Sequence, residues 1–380
     1  MPIIRYIKKI AYIITAVAFS VTVFSFNTFN VKGNNAVLTV VALNKEYKIY
    51  DYETSVYNGI RYLNNAEETV NEIYYDTYEK RKNAEIIFNP NSSDTFIITK
   101  GNNGKEIDKN LLLKDISYAL NNNVNLVRVK YNEIPQTVTE NYLKSCTYLR
   151  SRFTTYFTYV KERVENIKLA SKYLSGTVVN ENEEFSFNNV VGERSEERGF
   201  LKAKIILDGE FTDGVGGGVC QVSTTVYNAL LLGGVKITEH HPHSLQVGYV
   251  EPSFDAMVSY GFSDLKFYND TGGLIFISVK TTDNSITVSV YGKKPNKTYQ
   301  RVSVITEEIP PIEEEIIVSG ELNVGQSQIL QHAKKGIKSE GYLIEYSLTG
   351  EREKTRLLRK DSYKSVRQKR LVGSNEENKE

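Results

Sequence analysis

Tryptophan is absent from this chain, and cysteine, methionine and histidine are scarce at two, two and four residues among 380. Two cysteines, Cys146 and Cys220, cannot build a disulfide-dense scaffold. No excess of either charge exists, with 47 basic against 46 acidic residues, so no global field draws the chain to nucleic acid. Long apolar runs are also lacking, with one exception. After Arg5, Lys8 and Lys9, an uncharged and mostly apolar stretch runs from Ile10 to Phe26. It is about 17 residues, the lower limit for a bilayer-spanning helix. No small-x-small cleavage site follows, so an uncleaved signal-anchor is favoured over a removed signal peptide. The preceding basic residues put the N-terminus inside and the bulk of the chain outside. A single-pass cell-membrane location follows as the expectation.

What is present suggests several domains, since the length exceeds one average domain. The expected fold class is α+β multidomain: an N-terminal transmembrane helix, two α+β domains and a small C-terminal all-β module. The expected boundaries are 1–30 for the cytoplasmic stub and anchor, 35–148 and 149–294 for the two domains, 295–305 for a linker, 306–373 for the module and 374–380 for a tail. In the first domain, Leu112, Leu113, Ile116 and Leu120 predict a helix over 109–120. In the second, Val164, Ile167, Ala170 and Leu174 carry the helical period, with Gly176 placed to end it. Val222, Val226, Ala229 and Leu230 predict another helix, stopped by Gly233 and Gly234. Beyond it the chain is rich in strand-like runs.

The candidate chemistry centres on "GGGVCQVSTTVYNALLLGG", residues 216–234. Cys220 falls at a predicted helix start, where unpaired N–H groups and the helix dipole favour a thiolate. Gly217 and Gly218 permit close backbone approach or positive φ and can leave amides free for an oxyanion, and Gln221 adds a donor. His243 is the candidate base, with Asp255 or Asp264 to orient it. Arg194 and Asp213 are further candidate binding residues. The competing readings of Cys220 are a buried packing residue beside a tight turn, or a disulfide to Cys146. His240 and His243, with Cys220 or an aspartate, are an alternative zinc set, but no further ligand spacing supports it, and no metal or cofactor is expected. The charged segment with Glu183, Glu184, Glu193, Glu196 and Glu197 reads as a solvated loop rather than a glycosidase pair. The 26 tyrosines suit sugar stacking and half-buried strands equally.

Three resemblances cover nearly all of the chain beyond the leader. "FSFNNVVGERSEERGF", "GGGVCQVSTTVYNALL" and "HPHSLQVGYVEPSFDAMVSYGFSDLKFYND" resemble the VanW family over residues 151–290. Ser253-Phe254-Asp255-Ala256 departs from the family's more usual Gly-x-Asp-Ala. "KGNNGKEIDKNLLLKDISYALNNNVNLVRV" resembles the peptidoglycan-binding-like domain that often precedes VanW domains. "KKGIKSEGYLIEYSLTGE" and "LLRKDSYKSVRQKRLVG" resemble a G5 domain, a cell-surface module held to bind N-acetylglucosamine-containing polymers. The implied function is a membrane-anchored envelope protein binding peptidoglycan or a related wall glycan. The alternative is a cell-wall amide hydrolase or acyl transferase using Cys220. The chain order Cys, His, Asp resembles that of transglutaminase-like and NlpC-type cysteine peptidases, though Cys220 and His243 lie closer in sequence than in those folds. It is the reverse of the His-before-Cys order of L,D-transpeptidases.

Overall fold

The computed structural model describes residues 35–207 and 209–375, which divide into two compact units. Strand accounts for 46% and helix for 21%, so sheets carry most of the packing.

The first unit contains 35–79 and 105–132. Strand β1 (Ala36–Ala42) buries Leu38, Val40 and Ala42 at every second position, as a half-covered strand must. It pairs antiparallel with β2 (Lys45–Tyr50). Two helices follow, α1 (Ala66–Thr77) and α2 (Lys109–Asn121). Asp108 caps α2 by accepting from the N–H groups of Asn110 and Leu111, which satisfies two donors a helix start leaves open. The predicted helix is therefore present, but its buried face is Leu112, Ile116 and Ala119, while Leu113 faces solvent. Strand β3 (Leu126–Arg128) joins β1 in parallel.

The second unit contains 80–104 and 133–375. From Tyr148 onward its elements are, in order, strand β4 (Tyr148–Tyr156), helix α3 (Lys161–Leu174) and strands β5 (Thr177–Val179) and β6 (Glu184–Ser186). Short helix α4 (Phe187–Val191), the hairpin β7 (Lys202–Leu207) and β8 (Glu210–Val215), and helix α5 (Val219–Leu232) follow. Then come β9 (Lys236–Glu239), β10 (Lys266–Tyr268), β11 (Ile275–Thr281) and β12 (Ser285–Gly292). An antiparallel sheet in the order β4-β12-β11-β5 covers one side of α5, and a smaller sheet runs β6-β10-β9.

Helix α5 is the centre of this unit. Val222, Val226, Ala229 and Leu230 have no exposed surface. They pack with Ile167, Ala170 and Leu174 of α3 and with Ile286, Val288 and Val290 of β12. A helix covered all round needs partners for its polar residues as well. Thr225 bonds Thr155 of β4 at 2.8 Å. Ser223, Thr224 and Asn228 bond the backbone of Ala256, Ala256 and Phe254.

The C-terminal strands close against this core. Strand β13 (Lys297–Ile309), which takes up most of the stretch read as a linker, pairs with β14 (Gly336–Ser347). Strand β15 (Arg352–Tyr363) completes a three-stranded sheet. Arg301 of β13 lies 4.4 Å from the Phe153 ring and 4.7 Å from the Phe254 ring, and its guanidinium donates to Asn228 Oδ1. A second sheet joins Glu315–Asn323, Lys369–Asn375 and Ser327–Gln331.

One expectation needs correction. The N-terminal transmembrane helix of the expected fold class falls on residues outside those described. Among the described residues no helix is long and apolar enough to cross a membrane. A span needs about 20 apolar residues, whereas α5, the most apolar helix, has 14 and spends them on a protein core.

Because Leu230 is fully enclosed, Leu230→Ala is expected to cost about 3 kcal/mol in a denaturant titration. Phe262→Ala, at a position 89% exposed, should change stability by less than about 0.5 kcal/mol.

Candidate active site

The turn before α5 is built by glycine. Gly216 and Gly218 have φ of 85° and 110°, values a side chain resists. Gly217 lies so close to β7 that an added Cβ would stand 2.7 Å from the Lys204 carbonyl oxygen. Asn166 of α3 holds the turn by donating to the Gly217 carbonyl at 3.0 Å. The chain then enters α5 with Gly218 as its cap, so Cys220 occupies the second position of the first turn. Its Sγ lies 3.5 Å from the Val258 carbonyl, and the His243 ring is close enough to act on the thiol's charge.

His243 comes from the segment after β9 and is 6% exposed. Its Nδ1 lies 2.7 Å from Asp255 Oδ2, and its backbone N–H donates to the same oxygen at 2.6 Å. With Nδ1 taken, Nε2 is the ring nitrogen left for the thiol. Asp255 is itself placed by α5. The hydroxyls of Ser223 and Thr224 and the amide of Asn228 grip the backbone on either side of it, at 2.6, 2.9 and 2.8 Å. Cys220 and Asp255 are thus fixed by the same helix, one at its end and one along its flank.

These contacts shift all three titrations. Burial pushes the Cys220 thiol up, but the hydrogen bond from His243 and the charge on its ring outweigh that, aided by Arg194, and the net shift is downward. Burial opposes the charge on His243 too. Its bonds to Asp255 and Cys220 prevail, raising it to about 9. Burial likewise works against ionised Asp255, yet His243, Arg359 and Tyr363 hold it down at about 2. The shifts run toward a thiolate–imidazolium pair backed by a carboxylate, and the titration belongs to the group rather than to one residue.

The cysteine opens onto a cleft of about 1120 Å³. Its walls are the start of α5, the hairpin β7–β8, the turn carrying Tyr260 and Phe262, and Lys334, Ser362 and Lys364 from the C-terminal strands and loops. Basic side chains predominate there: Arg163, Arg194, Lys204, Lys334 and Lys364, against the single carboxylate of Glu193.

The other expected site residues fall in different places. Asp264 does not face His243. It is 7% exposed, accepts from the N–H groups of Asn188 and Leu265 at 2.9 and 2.8 Å, and bonds the Ser186 hydroxyl. It is a brace for the start of α4. Asp213 pairs with Lys204 at 3.1 Å on an exposed face and does not line the cleft. Gln221 borders the cleft, but its amide donates to Thr155 Oγ1 and the Tyr156 carbonyl and accepts from Arg163. Arg194 reaches the site, held by Asn188 Oδ1 at 2.7 Å, with Nη2 buried and without a hydrogen-bond partner among the described residues. Both cysteines are free, and Cys146 is fully buried. The histidines separate: the His240 ring stacks on Tyr227 at 5.0 Å, and His241 pairs with Glu239 at 3.0 Å. Among the described residues no group of three or more histidine, cysteine, aspartate or glutamate side chains is placed to hold a metal ion. Four participants escaped the sequence reading: Arg163, Tyr249, Arg359 and Tyr363. Tyr249, which lines the cleft, carries the only available signal, its place two residues after Val247 in a run already matched to a family pattern.

Residues 162–291 match the family model "VanW like protein", and residues 63–127 match "Putative peptidoglycan binding domain". The uncharacterized protein YoaR of Bacillus subtilis is 42% identical over 141 residues, which cover 37% of this chain and 46% of YoaR. The vancomycin B-type resistance protein VanW of Enterococcus faecalis is 30% identical over 149 residues, covering 37% of this chain and 54% of that protein. The chain thus spans about half the length of these relatives. Two solved G5 structures, of HP0197 and of an IgA1 protease, align with TM-scores of 0.12 and 0.16. They share 28% and 21% identity, span 21% and 22% of this chain, and are themselves covered to 100% and 94%. At those scores they carry no structural argument. The α5 helix, its cysteine and the histidine segment all lie inside the first match, so residues 162–291 form a VanW-like domain.

Proposed function

We propose that this is a cell-envelope protein that attaches to wall polymer and uses Cys220 to cleave an amide bond by acyl transfer. The observation that carries the reading is the Cys220–His243–Asp255 arrangement at the mouth of an open cleft. A helix-start thiolate, a base bonded to it and an acid orienting that base are the parts nucleophilic catalysis requires.

The chemistry follows from these positions. The Cys220 thiolate attacks the carbonyl carbon of a substrate amide, and the carbonyl oxygen takes the negative charge. The first turn of α5 offers its N–H end to that charge. His243 gives its ring proton to the leaving nitrogen, the C–N bond breaks and a thioester remains. An incoming amine or water then gives a proton to His243, bonds to the carbonyl carbon and releases the thiolate. Asp255 keeps the ring oriented and its positive form stable throughout.

The surroundings suit a wall peptide. Basic groups on the cleft walls favour a chain bearing free carboxylates, and Arg194 offers an unpartnered buried nitrogen close to the thiol. The match at residues 63–127 supports attachment to peptidoglycan, and together these features favour a site of action on the outer face of the cell.

Cys220→Ser and His243→Ala are expected to lower muropeptide turnover by about 1000-fold or more while sacculus binding persists. Equal turnover by Cys220→Ser would refute the enzyme and leave a binding protein. Asp264→Asn should lower the melting temperature and leave the turnover of the folded fraction near wild type, because this carboxylate braces α4. For the wild type, kcat/KM should fall on the alkaline side near pH 9, where His243 loses its proton, and on the acid side where Cys220 gains one. A profile rising monotonically to pH 10, as an ordinary thiol gives, would contradict the ion-pair assignment.

A further inference from the structure

The Asp255 carboxylate has two oxygens, and the structure divides them. Oδ2 takes both bonds from His243. Oδ1 takes the Tyr363 hydroxyl at 2.6 Å and the Arg359 guanidinium. Both donors come from β15, which lies beyond the 162–291 segment that matches the VanW family. Arg359, Asp361 and Tyr363 occupy alternate positions, so they share one face of the strand. That face is closed off: Tyr363 is 1% exposed and the Arg359 side chain 9%. The Tyr363 oxygen also accepts from the Ser253 N–H at 2.8 Å, two residues before Asp255, so its hydroxyl proton is directed at the carboxylate.

We propose that Arg359 and Tyr363 are positioning residues for Cys220: by occupying one oxygen of Asp255 they fix the rotation of the carboxylate and present the other oxygen to His243. This rests on the acyl-transfer reading above. The C-terminal sheet is then part of the active centre as well as a neighbouring module. A carboxylate held only through Oδ2 is free to turn about its Cβ–Cγ bond and lose the short contact with the ring. A donor on each oxygen removes that freedom, and the histidine inherits the order. The guanidinium also keeps Asp255 ionised in a site from which water is excluded.

The groups around the pair are identifiable. Cys220 and Tyr227 face it from α5, and His240 and Tyr249 from the histidine segment. Asp361 forms an ion pair with Arg359 at 2.6 Å. None of these is altered in the variants below.

The test uses the full chain and the rate of Cys220 alkylation by iodoacetamide as a function of pH, read by peptide mapping so that Cys146 does not contribute. Wild type should react as a thiolate well below the range of a free thiol. Tyr363→Phe and Arg359→Gln should slow alkylation at pH 6.5 by about threefold or more and move the acid limb to higher pH, with Arg359→Lys between them and wild type. Thermal melts establish that each variant is folded. If folding fails in Arg359→Gln, the isosteric Tyr363→Phe decides alone. Folded variants with the wild-type profile would overturn the positioning role and leave the acyl-transfer reading intact. A wild-type Cys220 that titrates like a free thiol would overturn both.

Discussion

The contact between His243 Nδ1 and Asp255 Oδ2 is the constraint on which the rest of the second unit converges. An ionised carboxylate 1% exposed is unfavourable unless every lone pair finds a donor. Here the donors are drawn from two places in the chain: His243, through both its ring and its backbone, and β15. The same requirement explains why α5 carries serine, threonine and asparagine within a buried helix. They hold the backbone around Asp255 against the helix flank and leave the valine and leucine stripe to the core.

Electrostatics and packing reinforce each other at the start of α5. The glycine turn brings the helix end against α3 and β7, and that approach half-buries the thiol. Burial alone opposes a thiolate. His243 reverses the outcome because Asp255 holds it charged beside the thiol. Arg194 adds a second positive group, braced by Asn188 and lying over the Phe187 ring at 5.6 Å.

Much of this was legible in the residues. Helical periodicity located α2, α3 and α5 to within a few positions, and the glycines at 176, 233 and 234 end their helices as composition suggests. Periodicity does not tell which edge of the α2 stripe faces inward: Leu113, on the apolar face that predicts the helix, is exposed, and Ala119 takes a place in the core. Cysteine, histidine and aspartate in order nominated Cys220, His243 and Asp255. It could not separate Asp255 from Asp264, because both are buried carboxylates in one family motif. Only the donors around them differ: an imidazole and a guanidinium for one, backbone amides at a helix start for the other. Arg359 and Tyr363 gave no sign at all. They sit in a strand crowded with charge, and nothing local ties them to a site more than a hundred residues earlier. The apolar leader invited a membrane helix from hydropathy alone, and no helix among the described residues fills that role.

The separation of β15 from Cys220 along the chain also sets an order of events. A polypeptide emerges and folds from its beginning, domain by domain. The helix bearing the thiol, the histidine segment and the aspartate are all made before the strand that supplies Arg359 and Tyr363. Until that strand docks, the carboxylate lacks half of its donors and the sulfur lacks its finished partner. The environment of the thiol is therefore completed late, only once β15 has been made and has docked, well after the helix that carries Cys220.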